Sequence, residues 1–133
     1  MKRVFAVLLC AALLAAAVPA ALAAPALSFP DITDTELKRD VAVLTMLGVI
    51  DGDENGRFNP NKSLTRAQFC KMAIILLGRG AEEPMYRNRT IFPDVTSTHW
   101  ARGYINMAVT GEKKFIIGNA DRTFRPDDDV TNA

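Results

Sequence analysis

The strongest constraint on this chain of 133 residues is that its sequence repeats itself. Phe29-Pro30-Asp31-Ile32 returns as Phe92-Pro93-Asp94-Val95, an offset of 63. Val49-Ile50-Asp51-Gly52 returns as Phe115-Ile116-Ile117-Gly118, an offset of 66. Arg57-Phe58-Asn59-Pro60 returns as Thr123-Phe124-Arg125-Pro126, and Leu64-Thr65 as Val130-Thr131, both again offset by 66. Four blocks in one order, twice, mark two copies of one supersecondary unit. The second copy carries about three extra residues between its first and second blocks.

Each copy reads as helix, loop, helix. In the first, Thr33 and Glu36 have capping-box spacing, followed by Leu37, Val41, Leu44 and Gly48 at helical period. Gly48 is a stop signal, because glycine adopts the left-handed conformation that ends helices. Val49-Ile50 is long enough only for a minimal strand. The stretch 51–63 is rich in Gly, Asn and Pro, with Phe58 as its one large apolar residue, placed to pin the loop to a core. Thr65 and Gln68 form a second capping box, opening a helix with Phe69, Met72, Ala73 and Leu76 on one face. In the second copy, Ser97 or Thr98 is placed to cap a helix carrying Trp100, Ile105 and Ala108.

The expectation is a mainly α fold of tandem helix-loop-helix repeats, with at most very short strands. The first repeat covers 24–80, a charged linker with Pro84 covers 81–91, and the second repeat covers 92–133. The second copy stops where its second helix should begin. It is therefore expected to expose Trp100, Phe115, Ile117 and Phe124, as a fragment or truncated frame would.

The first 23 residues are read as a secretory signal: Lys2-Arg3, an apolar run over 4–18, then Ala21-Leu22-Ala23 at the cleavage site. The run is shorter than the ~20 residues of a membrane span, so no span is expected after signal removal. Cys10 lies inside it behind Leu8-Leu9, which does not suit a lipoprotein cysteine. Removing 1–23 lowers Lys+Arg from 16 to 14 against 15 Asp+Glu, and net charge moves from +1 to −1. A near-neutral chain offers no electrostatic footprint for nucleic acid or anionic membrane. Cys70, the remaining cysteine, has no partner for an internal disulfide and reads as a small buried residue. The sequon Asn88-Arg89-Thr90 is short enough to arise by chance.

One histidine, His99, leaves no room for a triad or a zinc signature, and no nucleophile sits beside a base. No enzyme and no cofactor are expected, and His99 reads as a surface or capping residue. Asp51, Asp53 and Asn55 match the opening of a calcium loop, but Lys62 stands at the closing position that needs a carboxylate, and the second copy loses the pattern. A calcium-dependent, dockerin-like interaction module is therefore the alternative, with a purely structural repeat beside it.

Phe29-Pro30-Asp31, Gly48-Val49-Ile50-Asp51-Gly52, Gly56-Arg57-Phe58-Asn59-Pro60 and Leu64-Thr65-Arg66-Ala67-Gln68-Phe69, with Phe92-Pro93-Asp94-Val95, His99-Trp100-Ala101 and Phe124-Arg125-Pro126, resemble the blocks of the S-layer homology family over about residues 29–133. The resemblance implies a non-covalent anchor at the cell wall or surface of a bacterium. Its partner would be a secondary cell-wall polysaccharide or peptidoglycan-linked glycan, bound in grooves between repeats. Further repeats, often three in a bundle, would come in cis or from a neighbouring chain. It implies glycan binding by Arg66, whose guanidinium matches a carboxylate with two parallel donors. Trp100 joins it as a ring able to stack on a sugar, although such a tryptophan more often anchors a core. Gly52 of the turn completes the candidate set. Gln68 stands where the family has Glu, Leu37 near the place of Trp100, and Asn132 where the second repeat's arginine belongs.

Overall fold

The computed structural model describes residues 28–111 and 114–130. The expected signal segment 1–23 with Cys10, the expected cap residue Thr131, and Asn132 lie outside the described residues. Among those described, four α-helices and no strand are found, so the chain is mainly α as expected: α1 (Thr35–Met46), α2 (Arg66–Leu76), α3 (Glu83–Tyr86) and α4 (Arg102–Val109). A single isolated antiparallel bridge joins Thr65 to Asp129. No helix among these residues is long and apolar enough to cross a membrane.

Helix α1 begins one residue later than the Thr33 box predicts. Asp34 is the N-cap, its Oδ1 accepting the Leu37 amide at 2.7 Å, and Glu36 falls in the first turn. Aspartate caps as well as threonine does, and an acid in the first turn favours the positive helix end, so the later start satisfies both. The stop at Gly48 is as expected: its φ is +70°, its amide reaches Thr45 O, and the Val49 amide reaches Leu44 O, the paired bonds of a Schellman end. Helix α2 has the expected capping box: Thr65 Oγ1 accepts from Gln68 N, and Gln68 Oε1 accepts from Thr65 N. Its buried face differs from the expected one. Ala67, Cys70 and Ile74 are buried, while Leu76 and Leu77 are exposed.

The loops of the two copies share one geometry. Asp53 N donates to Arg57 O and Gly56 N to Asp53 O; Asn119 N donates to Thr123 O and Arg122 N to Asn119 O. Asn59 and Arg125 both take positive φ, 58° and 55°. Phe58 lies 5.9 Å from Phe29 between ring centroids, and Phe124 lies 5.3 Å from Phe92. The loop phenylalanine thus pins each loop, as expected for Phe58.

The second repeat is not left open. Ala67 and Cys70 of α2 enter a core formed with Val95, Ala101, Ile105, Ala108 and Phe124. Phe124 is fully buried and Phe115 is half-buried; Trp100 and Ile117 stay exposed, as expected. The expectation for Phe124 and Phe115 is corrected because the first repeat's second helix completes the core that Phe124 enters and Phe115 packs against. Burying one such side chain contributes about 1.5–3 kcal/mol, enough to favour this shared packing. The first repeat's own cluster is smaller, with Phe29, Ile32 and Val41 buried and Leu37, Ile50 and Phe58 against them.

Residues 81–91 are more than a solvated connection. A 3-10 turn (Gly80–Glu82) leads into α3, with Pro84 in its first turn, where a missing amide costs nothing. Glu83 is buried and held by Arg87 through Nε at 2.9 Å, and Gly103 of α4 leaves room for its side chain. Asn106 of α4 donates to Tyr86 O and Arg89 O, both at 2.8 Å. Helix α4 starts at Arg102 with no side-chain cap. Ser97 and Thr98 do not cap it because the chain first turns at 97–101, where the Ala101 amide donates to His99 Nδ1 at 3.2 Å.

Candidate functional site

A groove of about 490 Å3 opens between the first repeat's turn and loop, helix α2, and the second repeat's entry. That volume suits a small-molecule or sugar-sized ligand. The turn and loop contribute Asp51, Gly52, Phe58 and Asn59; α2 contributes Gln68, Lys71 and Met72; the second repeat contributes Trp100. Trp100 is 51% exposed, which corrects the core-anchor alternative for it. It precedes α4, where the turn at 97–101 turns it outward, and His99 stacks on it with centroids 5.9 Å apart. The groove thus offers an aromatic face, amide donors and acceptors, and a lysine within a partly apolar wall. Lys71 is paired with the Asp51 carboxylate.

Gly52 lines this groove for a local reason. Its φ is +78°, and a Cβ there would stand 2.4 Å from Phe29 Cε1. Gly118 has the same relation to Phe92, at 2.3 Å. Each glycine lets its repeat's first phenylalanine reach under the turn.

Arg66 is not among the groove's lining residues. Its Nε donates to Phe124 O at 2.9 Å, its second nitrogen to Ile117 O at 2.7 Å, and its guanidinium lies over the Phe124 ring. The Arg66 amide donates to Asp128 O and the Ala67 amide to Pro126 O. The second repeat's last described segment thereby satisfies first-turn donors of α2 that a helix cannot satisfy itself.

A model of the S-layer homology domain matches residues 28–70 and 91–133. The chain belongs to the S-layer homology family. It is 35% identical over 102 residues to a surface layer protein of Brevibacillus choshinensis, covering 75% of this chain and 9% of that protein. It is 33% identical over 94 residues to a cellulosome-anchoring protein of Acetivibrio thermocellus, covering 70% of this chain and 20% of the relative. An endo-1,4-beta-xylanase A of Thermoanaerobacterium saccharolyticum is 32% identical over 104 residues, 78% of this chain and 8% of the enzyme. The chain therefore spans under a tenth of the length of the surface layer protein and of the xylanase. No solved structure gives a significant match. These findings place the chain among secreted cell-surface proteins.

Within this S-layer homology pair, Gly52 and Trp100 come together on one groove, and Arg66 stands where the repeats meet. The residues of the alternative calcium loop are used differently. Asp53 accepts the Asn55 and Arg57 amides and the Asn59 side-chain amide, and Asp51 pairs with Lys71. The Arg57 amide above all, then the Asn59 side chain and the Asn55 amide, hold the Asp53 carboxyl below its usual range against a partial desolvation that opposes them. Among the described residues, no three of His, Cys, Asp and Glu gather where they could hold a metal ion.

Two residues escaped the sequence reading. Asp31 accepts the Phe58 and Asn59 amides at 3.0 and 2.6 Å, and Asp94 accepts those of Phe124 and Arg125 at 3.0 and 2.7 Å. Each clamps its loop against its Phe-Pro-Asp block. Partial desolvation pushes both carboxyls up, but the amide bonds outweigh it and hold them below the ordinary range. The available signal was recurrence: an acid after the same Phe-Pro pair in both copies.

Proposed function

We propose that the chain anchors an exported protein to the bacterial cell wall by binding a wall glycan, secondary polysaccharide or peptidoglycan-linked, in the groove between its repeats. The observation that carries this is Trp100, half exposed on a groove shared with Gly52, Asn59, Gln68 and Lys71. A sugar ring stacks its apolar face on indole while amides and charged groups meet its hydroxyls and substituents. Gly52 lets Phe29 sit under the turn that forms one wall of the groove. Arg66 holds the second repeat's loop on α2, the helix that bears Gln68, Lys71 and Met72 of the groove. The relatives named for surface layers and for anchoring support the reading.

The test is co-sedimentation of the chain with isolated Gram-positive walls, intact or stripped of secondary polymer. Pelleting with intact walls is expected, falling about tenfold in Trp100→Ala, as loss of a central aromatic contact does. Equal pelleting by Trp100→Ala, or no pelleting at all, would overturn it.

A further inference from the structure

Lys71 is the cation that α2 presents to the groove, and its ammonium is already taken by Asp51 of the first repeat's turn. The partners are placed unequally. The Lys71 side chain is 18% exposed and that of Asp51 is 68% exposed. The ammonium is set into the groove wall, and the carboxylate reaches it from the solvent side. Lys71 makes no other side-chain hydrogen bond or ion pair among the described residues.

The pair is not needed to build the turn. The second repeat forms the same turn, with the same pair of backbone hydrogen bonds, around Asn119 and Thr123. At the position matching Asp51 it has Ile117, 72% exposed and unable to pair with any charge.

We infer that Asp51 is a placeholder for an anionic group of the glycan. In the free chain it neutralises Lys71, and on binding a carboxylate or phosphate of the polymer takes its place. This rests on the groove being the glycan site. An ion pair with one exposed partner gains little over its solvated halves, so exchanging one anion for another costs little, and the sugar's remaining contacts supply the net gain. A neutral glycan has nothing to offer Lys71 in exchange, so the pair selects for charge. Trp100 then supplies stacking, and Lys71 supplies discrimination.

The experiment compares the wild-type chain, Asp51→Asn and Lys71→Met on isolated intact walls, and on the same walls with carboxyl groups capped as amides. Asp51→Asn is exposed and isosteric, so a gain in binding cannot come from misfolding. It is expected to bind intact walls roughly two- to five-fold more tightly, with a steeper loss on added salt. Lys71→Met keeps the stem and is expected to lose the preference for charged walls. The gain of Asp51→Asn vanishing on amidated walls places the anion on a carboxylate. A gain that survives amidation but disappears in the double variant with Lys71→Met places it on phosphate. Wild-type binding with Asp51→Asn unchanged or weaker overturns the placeholder alone. Failure of every variant, wild type included, to bind any wall overturns the groove as the glycan site, and the placeholder with it.

Discussion

The guanidinium carbon of Arg66, in the first turn of α2, lies 4.5 Å from the ring centroid of Phe124, in the loop of the other repeat. The same group donates to two carbonyls of that repeat, so one side chain holds the second repeat's loop from three directions. A lysine there would keep the charge and lose the planar fork and the stacking. Arg66→Lys is expected to lower unfolding free energy by about 1–2 kcal/mol, and Arg66→Ala by roughly 2–3. A double-mutant cycle with Phe124→Leu in urea should show coupling of about 0.5–2 kcal/mol. Additive effects would place the two residues in separate structural roles.

The aspartate clamps give the fold an acid limit. With folded-state pKa values held below the ordinary value, Asp31 and Asp94 contribute stability at and above about pH 4. That stability is lost as pH falls further, through their lowered pKa. Asp121 adds to this, because the Thr123 hydroxyl and amide and Arg125 lower its carboxyl to about 2. Unfolding midpoints measured between about pH 6 and 2 should stay flat above 4 and fall steeply below it. Asp94→Asn is expected to flatten the acid limb and to cost about 2 kcal/mol at neutral pH, through weaker bonds to the Phe124 and Arg125 amides.

Which parts of this were legible in the sequence follows from range. The α2 cap was legible because Thr65 and Gln68 are three residues apart and bond only to each other's backbone. The α1 start was ambiguous because Thr33 and Asp34 are adjacent residues that both cap helices well. The burial of Phe124 was not legible, because what covers it comes from the other repeat and no local pattern reports that. The segment 81–91 read as a linker because its charges look solvated, whereas Glu83 is buried against Gly103, twenty residues on. For the site, Gly52 and Trp100 were visible as motif residues, but Lys71 became a candidate only once α2 was seen to face the turn.

Glycines of like backbone but unlike surroundings separate two costs. Gly48 and Gly52 both take positive φ, but a Cβ at Gly48 meets nothing within 4 Å while one at Gly52 meets the Phe29 ring. Gly48→Ala is expected to cost about 1 kcal/mol from backbone strain alone. Gly52→Ala should cost roughly 2–4 kcal/mol, because Phe29 must also leave its site. Loss of wall binding by Gly52→Ala should then be accompanied by a lower melting temperature, and a fully stable but non-binding variant would point instead to direct ligand contact.

The buried pair of α3 predicts an asymmetry. Glu83 is almost fully enclosed, while the Arg87 side chain is 55% exposed. Removing the arginine strands a carboxylate in the interior, whereas neutralising the glutamate leaves an arginine that water can solvate. Arg87→Met is therefore expected to destabilise the fold more than Glu83→Gln does. Urea denaturation of the two variants should reveal the ranking, and the reverse order would place the stabilising role on the exposed partner.

Cys70 reports on the packing that joins the repeats. It is fully buried where α2 enters the second repeat's core, and burial pushes its thiol up to about 12, only partly offset by the nearby charge of Arg66. Thiolate is the reactive form, so the native chain should resist labelling by iodoacetamide at pH 8. Labelling should begin only when α2 leaves the second repeat. Its rate therefore measures separation of the repeats directly, without a spectroscopic probe at the interface. Arg66→Ala removes the brace across the same contact and should raise the native labelling rate by about tenfold or more, in proportion to the larger open population. A labelling rate in Arg66→Ala equal to that of the wild type would mean that α2 stays seated without its arginine, and that the brace acts on the Phe124 loop alone.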